Sequence, residues 1–214
     1  MQNRFKNSRT KENLMKAFAG ESQARNRYTF AAEMAREQGL YSIGYVFDFT
    51  AQQELAHARR FYELLKELAG QTIEISAGYP VDKQETIIDI LKSSRHNEFE
   101  EADDIYINFG DVAKEEGFLE AASAFYQIAK IEKLHGGRFG KIVKLLEEGN
   151  YFEYNQSFKV EKGSEVLNES EIQEDGVWMC LNCGHIHSGK KVPKNCPVCR
   201  YDKGYYIPVK ELLI

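Results

Sequence analysis

The feature that most constrains this chain is a spacing that occurs twice. Glu54 and His57, in Q-Q-E-L-A-H-A-R-R, form an E-x-x-H pair, and Glu132 and His135 repeat it in I-E-K-L-H. Each pair follows a lone glutamate: Glu21 in F-A-G-E-S-Q-A-R precedes Glu54 by 33 residues, and Glu98 in H-N-E-F-E-E precedes Glu132 by 34. Residues at i and i+3 project from one helix face, so each pair reaches a common point in the interior. A single E-x-x-H is equally compatible with a solvated helix face carrying charge pairs. The matched second copy, with its matched lone glutamate, argues against that. Without a cation, four inward carboxylates would repel one another and lose their hydration. Two such pairs plus two lone glutamates form the six-ligand set by which four-helix bundles hold two iron or manganese ions. Carboxylate oxygens suit hard cations, imidazole suits iron, and a carboxylate has two oxygens with which to bridge.

Gly and Pro divide the chain ahead of Asn150 into four segments whose apolar residues recur at helical spacing. They run from about Thr10 to Gln38, from about Tyr41 to Gly70, from about Glu85 to Glu116, and from Phe118 to Glu148. The second and third are joined by the longer connector Q-T-I-E-I-S-A-G-Y-P-V-D-K, and the other connections are short, which predicts an antiparallel bundle. After Asn150 the period is lost and charges accumulate, as in a linker, with one strand expected at its aromatic start. A compact tail from about Val177 to Ile214 holds Gly and Pro turns and short aromatic strands. The expected organisation is a bundle over residues 1–149, a linker over 150–175 and a small metal domain over 176–214.

All four cysteines lie in that tail. Cys180, Cys183, Cys196 and Cys199 form two C-x-x-C knuckles separated by twelve residues, a clustering unlike structural disulfides spread across a secreted domain. Four thiolates fit a tetrahedral site for iron or structural zinc, and spacing does not choose between them. His185 and His187 would serve a mixed zinc site, but four cysteines already complete the coordination, so both are read as surface residues.

In order and spacing, A-F-A-G-E-S-Q-A-R-N-R-Y, both E-x-x-H pairs, E-F-E-E and the cysteine tail resemble the rubrerythrin family over essentially the whole chain except the linker. C-G after the first knuckle, C-P-V-C in the second and the aromatics Trp178, Tyr201, Tyr205 and Tyr206 resemble rubredoxin, which favours iron in the tail. The resemblance implies a mainly α chain, a ferritin-like four-helix bundle followed by a small rubredoxin-like β/loop metal domain. It also implies that Glu54 and Glu132 bridge two irons, that Glu21 is terminal on one, and that Glu98 and His135 bind the other. By the same resemblance, the first iron is held by His57 when reduced and by Glu101 when oxidised. A charge count supplies a reason. Glu21, Glu54, Glu98 and Glu132 match two Fe(II), and a fifth carboxylate offsets part of the charge added on oxidation. Glu101 also reads as a surface residue in an acidic run with Glu100 and Asp103.

Tyr28, seven residues beyond Glu21 on the same helical face, either hydrogen-bonds a ligand carboxylate or is core. His96 has no pattern mate and is expected at the surface. Gly136 and Gly137 follow His135 inside a predicted helix, where each costs up to about 1 kcal/mol relative to Ala. Close helix approach and a local irregularity both remain open there.

The net charge of −5 argues against nucleic acid as the main partner. No apolar run approaches the roughly 18 residues of a membrane span, and the N-terminus lacks the apolar core of a secretory signal, so a cytoplasmic protein is expected. A di-iron centre can deliver two electrons to an O–O bond, and an iron-tetrathiolate site relays one at a time. The resemblance implies reduction of hydrogen peroxide to water, with electrons ultimately from NAD(P)H. No G-x-G-x-x-G follows a strand, so the reductant is expected from a partner protein such as rubredoxin or an NAD(P)H-dependent reductase. A homodimer whose tail serves the adjacent bundle is also implied, and a higher homo-oligomer stays open. Residues 177–214 carry a local charge of +4 against −9 for the remainder, which favours docking of the tail on the bundle or on an acidic donor. The same bundle ligands also serve a ferritin-like ferroxidase that handles iron, or an oxidase that reduces dioxygen. A zinc-ribbon regulator would explain the tail but not the ordered bundle ligands.

Overall fold

The computed structural model of the chain describes residues 2–149, 151, 176–189 and 191–208. A short helix, α1 (Gln2–Lys6), which sequence periodicity had not indicated, precedes α2 (Arg9–Glu37), α3 (Tyr41–Leu64), α4 (Ile87–Glu100), α5 (Tyr106–Glu115) and α6 (Leu119–Glu147). Helices α4 and α5 are two parts of one rod, joined by a π turn at Glu101–Ile105. That rod, with α2, α3 and α6, makes the four long helices of a bundle. The second helix stops at Leu64 rather than at Gly70, because a 3-10 turn at Lys66–Leu68 takes over.

The ends of these helices follow from local chemistry. Ser8 caps α2 by accepting the Lys11 amide at 3.1 Å. At the same end, the Glu116 carboxylate accepts the Arg9 and Thr10 amides at 3.0 and 2.9 Å and the Thr10 hydroxyl at 2.6 Å. This places a negative charge against the positive end of the helix dipole and ties the first long helix to the far end of the third. At the other end of α2, Gly39 has φ of 75°, and the Gly39 and Leu40 amides bond back to the Arg36 and Ala35 carbonyls at 2.9 and 2.8 Å. Gly117 closes α5 in the same way.

Two apolar layers fill the bundle. One includes Leu14, Phe61, Tyr106, Phe125 and Ile128. The other includes Tyr28, Phe47, Leu91 and Phe139. Aromatic rings knit each layer together: Phe61 lies 5.0 Å from Phe125 and 5.5 Å from Tyr106, while Phe139 lies 5.2 Å from Phe47 and 5.4 Å from Tyr28. The connector after α3 has no regular structure over residues 71–82 but is pinned to the bundle. Tyr79 donates its hydroxyl to the Lys16 carbonyl at 2.9 Å, and Asp82 pairs with Arg27 and accepts from Asn97.

The tail is a three-stranded antiparallel sheet in the order β2-β1-β3, with β1 at Gly176–Cys180, β2 at Ile186–Gly189 and β3 at Tyr206–Pro208. Trp178 pairs with His187, and Met179 with Ile207. The strand expected at the aromatic start of the linker falls almost wholly outside the described residues. Among the described residues, no helix is long and apolar enough to cross a membrane.

Candidate metal centres

Between the two apolar layers lies a sheet of buried polar side chains. Glu21, Glu54, His57 and Glu132 form one group and Glu54, Glu98, Glu132 and His135 a second, and within each group the ligand-type atoms lie within 4.8 Å of one another. Glu54 and Glu132 stand in both groups, as a pair shared by two ions must. All six residues are at most 2% exposed. Both imidazoles turn Nδ1 inward. His57 Nδ1 is 2.8 Å from Glu132 and 3.1 Å from Glu54, and His135 Nδ1 is 2.8 Å from Glu132 and 3.0 Å from Glu54.

The donor set fits a pair of cations on physical grounds. Glu21 Oε2, Glu54 Oε1, Glu98 Oε2, both Glu132 oxygens and His135 Nδ1 are buried without an aligned hydrogen bond among the described residues, the close approaches of Nδ1 to Glu54 and Glu132 being ion-pair contacts only. Buried polar atoms are normally hydrogen-bonded, and six that are not, five of them carboxylate oxygens, converge on one place, a donor set suited to cations. The protein's own protonation equilibria are distorted to match. Burial, reinforced by the Glu54 charge, pushes the Glu98 carboxyl up to about 8. Burial and then Glu132 drive Glu21 well above the usual carboxylate range. Burial would raise Glu54 too, but His135 and His57 overcome it and hold Glu54 below that range. Against the effect of burial, Glu132 and Glu21 raise His57, and Glu54, Glu132 and Glu98 raise His135. Both shifts favour the protonated imidazole beside the carboxylates.

Glu101 lies outside both ligand groups. It sits at the junction of α4 and the π turn, part-buried, with its carboxyl raised by burial and then by the charges of Glu21, Glu98, Glu132 and Glu54. It therefore stands beside the cluster while His57 stands within it.

Two tyrosines complete the inner site. Tyr28 is core and hydrogen-bonds Glu98 as well, so the two readings of it are both met. Tyr106, which sequence reading did not single out, donates its hydroxyl to Glu21 at 2.5 Å. Each hairpin thus sends a tyrosine to the lone glutamate of the other. Beyond the imidazoles, His135 Nε2 meets Gln53 Oε1 at 2.9 Å, and His57 Nε2 meets the Cys183 carbonyl at 3.1 Å. Gly136 is resolved in favour of close approach: a Cβ there would lie 3.0 Å from Phe99 and 3.3 Å from the Glu98 side chain, whereas Gly137 has nothing within 4 Å among the described residues. His96 is exposed as expected.

In the tail, Cys180, Cys183, Cys196 and Cys199 are all buried and converge, with Sγ separations of 3.8 Å for Cys180 and Cys199 and 3.6 Å for Cys183 and Cys196. Those separations suit the edges of a tetrahedral thiolate site. His185 and His187 take no part in that cluster, although both are half-buried rather than exposed and pack edge-on to Tyr206.

Fold and site together define a class, a ferritin-like bundle with a two-metal carboxylate cluster joined to a rubredoxin-like four-cysteine domain. Comparison with known proteins agrees. The family model for rubrerythrin matches residues 12–143, and that for the rubrerythrin, rubredoxin-like domain matches residues 178–207. The chain is 42% identical over 208 residues to a rubrerythrin of Clostridium perfringens (strain 13 / Type A), covering 97% of each. To a rubrerythrin of Porphyromonas gingivalis it is 38% identical over 210 residues, covering 98% of this chain and 94% of the relative. A solved structure of nigerythrin in its fully reduced, all-ferrous state superposes with a TM-score of 0.63 at 27% identity, covering 94% of this chain and 90% of that one. This chain belongs to the rubrerythrin family. Its bundle carries a di-iron site with Glu and His ligands, and its tail a rubredoxin-like four-cysteine site.

Proposed function

We propose that this protein is a peroxidase that reduces hydrogen peroxide to water in the bundle, with electrons entering through the tail from an NAD(P)H-dependent reductase chain or a rubredoxin. Each turnover consumes one peroxide, two electrons and two protons and yields two waters. When bound, two ferrous ions supply those electrons, one each, as the O–O bond breaks. Glu21, Glu54, His57, Glu98, Glu132 and His135 would hold them, Glu54 and Glu132 as the shared pair, and Cys180, Cys183, Cys196 and Cys199 would hold a single iron in the tail. The reading keeps the division into a bundle of residues 1–149, a linker of 150–175 and a tail of 176–214.

The observation that carries this reading is the contact between the two sites. Cys183 is a tail ligand, its backbone carbonyl accepts from His57 Nε2 at 3.1 Å, and His57 turns its other nitrogen into the cluster. One hydrogen bond therefore links the relay to the site it must reload. The contact is made here within one chain.

The protein's own groups manage charge and protons around this step. Tyr28 and Tyr106 hold Glu98 and Glu21 in place by donating to one oxygen of each, which leaves the other oxygen facing inward. Burial, and then the charges of Glu21, Glu98, Glu132 and Glu54, raise the Glu101 carboxyl and favour its protonated form beside the cluster. With iron bound, Glu101 would be placed to give up a proton on oxidation, and its carboxylate would offset part of the added charge in place of neutral His57. If Glu101→Ala leaves turnover unchanged, this exchange is wrong.

The test of the whole reading is single-turnover oxidation of the fully reduced protein by peroxide and, separately, by dioxygen. Faster oxidation by peroxide is expected. Faster oxidation by dioxygen would replace the peroxidase assignment with that of an oxidase, and iron accumulation without peroxide consumption would point to a ferroxidase.

A further inference from the structure

The outer partners of the two imidazoles are of different kinds. His57 Nε2 meets a neutral backbone carbonyl. His135 Nε2 meets Gln53 Oε1 at 2.9 Å, and that same oxygen lies 3.5 Å from the guanidinium Nη1 of Arg138. Arg138 is fixed in turn by Thr50 Oγ1 at 3.1 Å and by the Phe49 ring, 5.4 Å from its guanidinium carbon. Gln53 is wholly buried, one residue before Glu54 on α3. A glutamine amide fits either way round by shape, but a guanidinium carries only donors, so Arg138 dictates that the oxygen faces it. That orientation supplies His135 with the acceptor its Nε2–H needs and leaves Nδ1 for the metal. It also leaves Gln53 Nε2 without a partner among the described residues, a cost tolerated only if the orientation matters. Arg138 brings a formal positive charge to the His135 side, close enough to act on Glu98 and Glu54.

We propose that Arg138, acting through Gln53, is a positioning group that makes the two iron positions unequal, so that the iron on the His135 side is the first to become ferrous and the last to be oxidised. The physical cause is Coulombic. A fixed cation disfavours accumulation of positive charge near it more than at the more distant position. The inference rests on the two-iron reading of the bundle.

The test is a stepwise reductive titration of the iron-loaded full-length protein, followed by low-temperature EPR of the mixed-valence state and by Mössbauer spectra. In Arg138→Met, the ferric-to-ferrous ratio of the first one-electron step at fixed potential is expected to rise about tenfold, equivalent to about 59 mV. The second step should move less, so the maximum mixed-valence population falls. Arg138→Lys should restore the separation. Gln53→Glu preserves volume and acceptor while adding negative charge, and should move the first step in the same direction if Arg138→Met does not fold. The tail iron is the internal reference and should not shift. Variants that retain two irons yet show no shift, or equal shifts of both steps, overturn the proposal. A wild-type bundle that takes up no iron pair would instead refute the two-iron reading, through metal content rather than through potentials.

Discussion

The two halves of the bundle, α2 with α3 and the α4/α5 rod with α6, are built to the same plan and finished differently. Both present a lone glutamate from the first helix, an E-x-x-H from the second and a tyrosine that crosses to the opposite glutamate. Only the second half has the π turn, and Glu101 opens it. The outer faces diverge as well, since His57 leads to the tail and His135 to Gln53 and Arg138. The duplicated features create the cluster, because charge balance needs both copies. On the function proposed above, the unduplicated ones would give the two ion positions different tasks, with electron entry on the side that meets the tail and a fixed cation on the other.

The largest effect should come from destroying what the halves share. Glu54→Ala or Glu132→Ala removes a residue common to both groups, and should abolish pairwise iron binding and depress peroxide turnover by well over the roughly 10–100-fold that loss of an outer partner costs. Glu21→Ala should weaken one position and leave the Glu98 and His135 side able to bind an ion. Metal analysis of the purified variants distinguishes the two patterns, and equal loss from all three would show that the halves do not act separately.

Next comes metal removal, which should make stability depend on pH. In the metal-free protein, Glu98 is raised from 4.5 to about 8. Its neutral form is favoured by the fold, so its contribution is full below about pH 4.5 and is lost as pH rises through about 8. The raised values of His57 and His135 act in the same direction, losing stability as pH rises through their folded values, while lowered Glu54 loses its contribution as pH falls. The metal-free chain should therefore lose a few kcal/mol between about pH 4.5 and 8, and the iron-loaded chain should not. Thermal melting of both forms across that range checks the sign. A metal-free bundle that grew more stable toward pH 8 would show that the buried carboxyls are not strained as described.

The duplicated ligand pattern was legible because ligand geometry forces a helical spacing, and the four helices were legible because glycine stops and apolar periods agree. What escaped reading was written in a single residue. From Gly39 to Glu54 and from Gly117 to Glu132 the count is the same, so the difference between offsets of 33 and 34 lies between Glu98 and Gly117. There the Tyr106 amide bonds back to the Glu101 carbonyl and the π turn absorbs the extra residue. In an unbroken α-helix, a residue eight beyond Glu98 would point about 80° away from it, whereas Tyr28 at seven beyond Glu21 stays in line. The insertion brings Tyr106 back into line. Gln53 and Arg138 had no such signal, because a buried amide and its cation follow no period. The contact of Cys183 with His57 joins two sites far apart in sequence and was equally hidden.

The cross-paired tyrosines give a smaller effect. Tyr106→Phe should weaken the ion held by Glu21, and Tyr28→Phe the ion held by Glu98, each by about 10-fold or somewhat more. Competition with a metal chelator reads the loss at each position. If both variants lose the two ions equally, the cross-pairing does not separate the halves.

The smallest effect concerns the two glycines after His135, whose neighbours differ although their sequence context is the same. Alanine is the better helix former by up to about 1 kcal/mol, and at Gly137, with nothing among the described residues within 4 Å of the new methyl group, that gain should appear almost undiminished. At Gly136 the methyl group meets Phe99 at 3.0 Å and the Glu98 side chain at 3.3 Å, and overpacking of this kind costs about 1–3 kcal/mol. The net change there should be destabilising despite the propensity gain, and because Phe99 and its neighbour Glu98 must both give way, iron on the His135 side should bind more weakly. Gly137→Ala should therefore melt higher than the parent and Gly136→Ala lower. If Gly136→Ala kept both stability and iron affinity, α4 and α6 would have room to part, and the close approach would not be what sets Glu98 within reach of His135.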